Sequence, residues 1–173
     1  MTRDGTVSGD NYGKQTFHDQ VTFAQGAAGS NVQVIKDSQI WYADSGKTSP
    51  AVSGNGLTWD SAFLTLTEAL AAAGDNDVIY VAPGDYVTAT ANVVSQAGLT
   101  IIGPNRSCND YKALIYTSAA VNVFEVDANS VSIIGLGISA VGGNGSGIAV
   151  SATTASYKFY VAHCRFDGYG NAG

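Results

Sequence analysis

The sequence predicts an all-β chain: a solenoid of short stacked strands, entered through one small capping helix and preceded by an extended N-terminal arm. Three observations carry this expectation. Beyond residue 77 the chain is a succession of short apolar, β-branched and aromatic runs separated by Gly, Pro, Asn and Ser clusters. Glycine is frequent (21 of 173 residues) and charged residues make up only 13%, which suits many turns and disfavours a helical bundle built on Glu, Lys and Leu. Strand groups also recur at roughly 20–30 residues, as in solenoids whose units bury their insides against the units above and below.

Residues 1 to 39 form the arm. Phe17, Val21 and Phe23 in "TFHDQVTF", and Val32 and Val34 in "NVQVI", alternate with polar residues as in a strand. They are too few to build a core, and a two-stranded piece is marginal in water. The arm therefore calls for a partner surface, from its own oligomer or from another protein. His18 reads as a surface residue of this arm.

Residues 40 to 76 form a junction. "IWYADSG" reads as a short strand and "KTSPAVSGNG" as a loop. Leu66, Ala69, Leu70 and Ala73 then fall at helical spacing. Thr65 and Glu68 make a capping box, in which hydroxyl and carboxylate each satisfy an orphan amide at the helix start. Gly74 stands where a C′ glycine ends a helix. The narrow, alanine-rich apolar face predicts a helix lying flat over the open end of the first unit.

Residues 77 to 173 carry the strands. They read as "VIYV" (78–81), "LTIIG" (99–103), "ALIY" (113–116), "VNVFEV" (121–126), "VSIIGLGIS" (131–139), "GIAV" (147–150) and "YKFYVAHCRF" (157–166). In "DVIYVAPGDYV", Pro83-Gly84 breaks one strand and the next begins at once. Proline fixes φ and glycine supplies a positive φ, so a type II corner turns the chain without reversing it. Turn clusters at Pro104-Asn105, Asn129-Ser130 and Gly142–Gly145 separate later strands. Ile134, Leu136 and Ile138 match Val161 or Ala162, Cys164 and Phe166 at an offset of about 28 residues, within the range of solenoid repeats.

Net charge is −6 and no Lys/Arg cluster exists, which argues against nucleic acid. No apolar run approaches the ~20 residues of a spanning helix. The N-terminus "MTRDGTVSGDNYG" lacks an apolar signal core, so the expectation is synthesis without a secretory signal and release by another route such as lysis. Cys108 and Cys164 are far apart and read as buried or half-buried thiols; a disulfide would need them close in space. The sequence stops after a strong strand with nothing resembling a cap, which predicts a longer protein or cover from partner chains.

The junction carries a resemblance. Trp41, Tyr42 and Asp44; Gly54, Asn55 and Gly56; Trp59, Ala62 and Phe63; then Ile79, Val81, Pro83, Gly84 and Tyr86 resemble the N-terminal entry of pectin-lyase-like right-handed parallel β-helices. The match covers about a quarter of the chain and speaks to fold, since the same entry precedes enzymes, adhesins and inert stalks. The opening "RDGTVSGDNYGKQTFHDQVTF", with Phe17, Asp19, Val21 and Phe23, is similar to the start of structural proteins of tailed bacteriophages, where such an arm joins the particle and a β-helical spike or fibre follows.

Pectin-lyase-like enzymes act on polysaccharides along the outside of their coils. Hydrolysis needs two facing carboxylates, and lyases need a base and usually a calcium site of clustered acids. Glu125 and Asp127 in "FEVDA" share a strand face; the plain reading is a solvated face, and the sharper one is a metal or catalytic site. In "AHCRFD", if Cys164 and Phe166 point inward, His163, Arg165 and Asp167 point outward in a row. They are either an exterior face of mixed charge or a glycan-binding site for an anionic sugar. No Ser-His-Asp pattern or phosphate loop appears, because "GNGSG" lacks the following Lys-Ser/Thr, so no catalytic residue, metal or cofactor is assigned.

The resemblances imply a virion structural protein: a tail spike, tail fibre or head fibre, anchored by its arm to other virion proteins and projecting a β-helix for adhesion to host-surface polysaccharide. The alternative is a polysaccharide lyase or hydrolase. Phe17, Val21, Phe23, Val32 and Val34 facing a common axis would give the arm the burial it lacks alone, so a homotrimer is expected.

Overall fold

In the computed structural model, residues 38–48, 53–110, 112–140, 145–150 and 158–168 are described. The chain divides into two units, Met1–Ile35 and Lys36–Gly173. Phe17, His18, Val21, Phe23, Val32 and Val34 lie outside the described residues, as do the centre of the Gly142–Gly145 turn and the last residues.

The described elements, all in the second unit, are β-strands with one short helix. In chain order they are β1 (Ile40–Ala43), α1 (Leu66–Ala72), β2 (Val78–Val81), β3 (Gly84–Thr88), β4 (Asn92–Val94), β5 (Thr100–Ile102) and β6 (Ala113–Thr117). There follow β7 (Phe124–Val126), β8 (Val131–Ile134), β9 (Gly137–Ala140), β10 (Ile148–Val150), β11 (Phe159–Ala162) and β12 (Arg165–Gly168). Every ladder between them is parallel. The first sheet has the order β1-β2-β5-β8-β11, the second β3-β6-β9-β12 and the third β4-β7-β10. From β2 onward the chain therefore visits the three open sheets in strict rotation.

Period-two patterning locates most of these strands because one face of each is buried. The inward residues form columns down the sheets. Ile79, Ile101 and Ile133 stack in register in the first sheet, Tyr86, Ile115 and Ile138 in the second, and Val94 and Val126 in the third; all are buried. Each fully buried aliphatic side chain contributes ~1.5–3 kcal/mol. Two expected strands are pairs: "VSIIGLGIS" breaks into β8 and β9, and "YKFYVAHCRF" into β11 and β12. The matched offset holds, since Ile134 pairs with Ala162 and Ile138 with Phe166. Strand β4 was not anticipated. It is only Asn-Val-Val, and its first inward residue is polar: Asn92 is buried with Nδ2 donating to the Val123 carbonyl at 3.0 Å.

Helix α1 forms as its capping box predicts. Thr65 Oγ1 accepts from the Glu68 amide and Glu68 Oε2 accepts from the Thr65 amide. Leu66, Ala69, Leu70 and Ala73 are all buried, and the helix packs on β1, β2 and β4. Its end differs from expectation. Ala73 is the C-cap in an extended conformation, and Gly74 follows without the left-handed φ of a glycine cap. Instead the Gly74 amide donates to Asp77 Oδ2 at 2.6 Å. That carboxylate, 1% exposed, also accepts from the Gln39 amide at 2.8 Å and the Trp41 indole at 2.9 Å, tying β1, the helix end and β2 together.

The corners between first and second sheets are stacked. At Pro83-Gly84 the chain bends and Gly84, at φ 148°, already donates to Lys112 in the ladder at 2.7 Å. The glycine is required there, but it opens β3 directly and does not close a hydrogen-bonded type II turn. One layer on, the Asn105 side chain accepts from the Lys112 and Ala113 amides and donates to the Asp110 carbonyl. The next corner is Gly135, at φ 71°, where a Cβ would lie 2.6 Å from the Gly103 carbonyl oxygen.

Candidate functional site

The outward row expected of His163, Arg165 and Asp167 is only partly formed. His163 does not lie in β12. It sits at the corner between β11 and β12 with φ 54°. The pairs Ile134–Ala162 and Gly137–Arg165 frame it opposite Gly135, so it holds the turn position that glycine fills one layer earlier. Its exposure follows from that corner, and it is out of step with the strand alternation. Arg165 and Asp167 do share the outer face of β12. The Arg165 Nε lies 3.0 Å from both Asp167 carboxylate oxygens. Each side chain is 30% exposed, so the pair largely neutralises itself, and an anionic ligand would compete with Asp167 for the guanidinium.

Cys164 points inward as expected. Its thiol donates to the Ile133 or Ala162 carbonyl and packs against the core, and burial raises its pKa. Cys108 is exposed, and the two cysteines are not bonded to each other. Phe166 pairs with Ile138 and its ring closes against Gly147, yet it is 54% exposed because β12 is the outermost described strand of its sheet.

Glu125 and Asp127 do come together. Both are exposed and line a shallow hollow on the outside of the third sheet. Glu125 Oε1 accepts from Asn122 Nδ2 at 3.1 Å. Across the hollow stand Val93 and Ala149, the register partners of Glu125 on β4 and β10. Neither can act as the opposing carboxylate that glycoside hydrolysis requires. Among the described residues no three His, Cys, Asp or Glu side chains gather to hold a metal ion, and no helix is long and apolar enough to cross a membrane.

A better-defined concavity lies elsewhere. A hollow of ≈ 180 Å³ opens beside β3, between the start of α1 and the loop after β1. Leu66, Tyr86 and Ile115 form its apolar floor, and Ser45, Thr67 and Asp85 stand on its rim. Tyr86 anchors the floor: its hydroxyl donates to the Ala43 or Ala82 carbonyl and accepts from the Ser45 amide. Burial raises the phenol pKa above its usual value. Thr67 Oγ1 donates to Asn92 Oδ1 at 3.1 Å, fixing the helix side of the rim. Sequence reading passed over this place because its residues come from four separate segments and none is unusual alone.

No family model, no curated protein and no solved structure matches this chain.

Proposed function

We propose that the chain is a virion structural protein of a tailed bacteriophage, a tail spike, tail fibre or head fibre, whose body is a right-handed parallel β-helix. The observation that carries the solenoid reading is the strict rotation of the strands through three parallel sheets, with α1 packed at the entry. That is how a coil closes on itself and stacks on the next. The entry residues Trp41, Trp59, Pro83 and Gly84 support the pectin-lyase-like resemblance, and the arm's Phe17, Asp19, Val21 and Phe23 support the phage one. In this reading the arm anchors the protein to other virion proteins and joins a homotrimer, while the body projects toward host-surface polysaccharide. The self-paired Arg165 and Asp167 and the one-sided Glu125 and Asp127 favour a body that binds or stands off glycans over one that cleaves them.

The test is location. Gold-labelled antibody against the protein should decorate a fixed point on intact particles, and the full chain should scatter light as about three times 17.7 kDa. Removing residues 1–38 should abolish incorporation and leave the strands folded. Absence from purified particles, or sugar release from polysaccharide by the purified protein, would turn the reading to a lyase or hydrolase.

A further inference from the structure

The three sheets do not begin alike. The outer edge of β1 is bonded by the segment that follows it: the Tyr42 amide donates to the Gly56 carbonyl at 2.8 Å and the Phe63 amide to the Tyr42 carbonyl at 2.9 Å. The first strand of the third sheet, β4, lies under α1. Among the described residues, the second sheet begins at β3 with no strand beyond it. The Gly84 amide donates to Lys112 and the Thr88 carbonyl accepts from Ser118, which fixes the alternation: residues 84, 86 and 88 turn their main-chain groups toward β6. Those of Asp85 and Val87 point the opposite way, toward the hollow, and no hydrogen bond among the described residues uses them.

We propose that this edge is a binding site for an extended, basic peptide strand of a partner protein. The peptide adds to the second sheet beside β3, exchanges main-chain hydrogen bonds with Asp85 and Val87, and lowers one small apolar side chain onto Leu66, Tyr86 and Ile115. Three features select this occupant. Donors and acceptors repeating at strand spacing are the complement of another strand, and the pocket beneath alternate positions supplies side-chain selectivity. Within β3 the usual protections of a free edge are sparse: it contains no lysine, no proline and no bulge, Asp85 is its one charge, and Val87 is 57% exposed beside it. Among the described residues lining the hollow, Asp85 is the only charged one, so the partner carries the positive charge. A second copy of this chain fits poorly, since it brings its own Asp85 and a net charge of −6. This site stands independently of the virion reading.

The probe is the peptide acetyl-Lys-Val-Thr-Val-Thr-Val-Lys-amide, titrated into the full chain with amide hydrogen exchange followed by NMR. The Asp85 and Val87 amides should exchange freely before addition and become protected after it, while the Tyr86 amide stays protected throughout. The same peptide with glutamates in place of lysines should bind about tenfold more weakly, and added salt should narrow that difference. Val87→Pro removes an N–H that serves no ladder bond and should cut binding at least about tenfold. Should that variant fail to fold, Asp85→Lys replaces it and should reverse the preference between the two peptides. The proposal is overturned by three results: protection of both amides before any peptide is added, protection that grows with protein concentration alone, or peptide binding that leaves both amides exchanging freely.

Discussion

Asp77→Ala should be the most damaging small substitution in the entry region. The carboxylate is 1% exposed and accepts from the Gln39 amide, the Trp41 indole and the Gly74 amide at 2.8, 2.9 and 2.6 Å. These donors belong to the lead-in to β1, to β1 itself and to the end of α1. Alanine leaves all three without an acceptor, and each buried, unmatched donor costs ~1–3 kcal/mol. Gln39 is exposed and recovers part of its bond from water, so the sum is about 3–5 kcal/mol, a large share of a typical ~5–15 kcal/mol. Asp77→Asn keeps the shape and one oxygen but turns an NH₂ toward a donor, for about 1–2 kcal/mol. Urea unfolding followed by tryptophan fluorescence reads both, because Trp41 is itself a partner. The midpoint should fall at constant m-value, in the order alanine below asparagine below wild type. An alanine variant within ~1 kcal/mol of wild type would refute the idea that one carboxylate fastens helix, strand and lead-in together.

Leu70→Asp should cost several kcal/mol, because Leu70 is 4% exposed between α1 and the first layer and the new carboxylate would have no partner there; an unchanged melting temperature would show that α1 does not seal the core. His163→Gly should stabilise by about 0.5–1 kcal/mol by relieving a non-glycine φ of 54° at a corner that glycine fills in the layer before; a loss of stability would show that the imidazole makes contacts worth more than the strain. Burial raises the pKa of Tyr86 in the folded state, so its share of stability is whole below the unfolded value of about 10 and is lost as pH rises through the folded one. Cys164 acts in the same direction from about pH 9. In a Cys164→Ala background, Tyr86→Phe should therefore lower stability near pH 7 by ~1 kcal/mol and flatten the decline above pH 10, and a decline that persists unchanged would place its cause in other groups.

Features encoded within a few neighbouring residues were legible before folding. Alternation in "VIYV", "ALIY" and "FEV" marks strands because a strand with one buried face must repeat every second residue. Thr65 and Glu68 announce α1 because both halves of a capping box are local. Pro83-Gly84 announces a corner because glycine alone accepts the φ found there. The match between "SIIGLGIS" and "FYVAHCRF" was legible because stacked layers keep apolar residues at paired positions, as Ile134–Ala162 and Ile138–Phe166 do. Features that depend on neighbours distant in sequence emerge only in the folded chain. Asn92 became an inward strand residue because the Val123 carbonyl and Thr67 meet its amide. His163 left the expected outward row because the layer beneath it turns at Gly135. Asp77 became a buried fastening because Gln39, Trp41 and Gly74 converge on it from separate segments. The open edge of β3 is the clearest case. Nothing in "GDYVT" distinguishes it from a strand paired on both sides; among the described residues no strand lies beyond it in the second sheet, α1 lies over β4 instead, and no described group meets the main-chain groups of Asp85 and Val87. Periodicity reports which face of a strand is buried; which of its edges is covered depends on how the sheets begin, and that is settled only when the chain is folded.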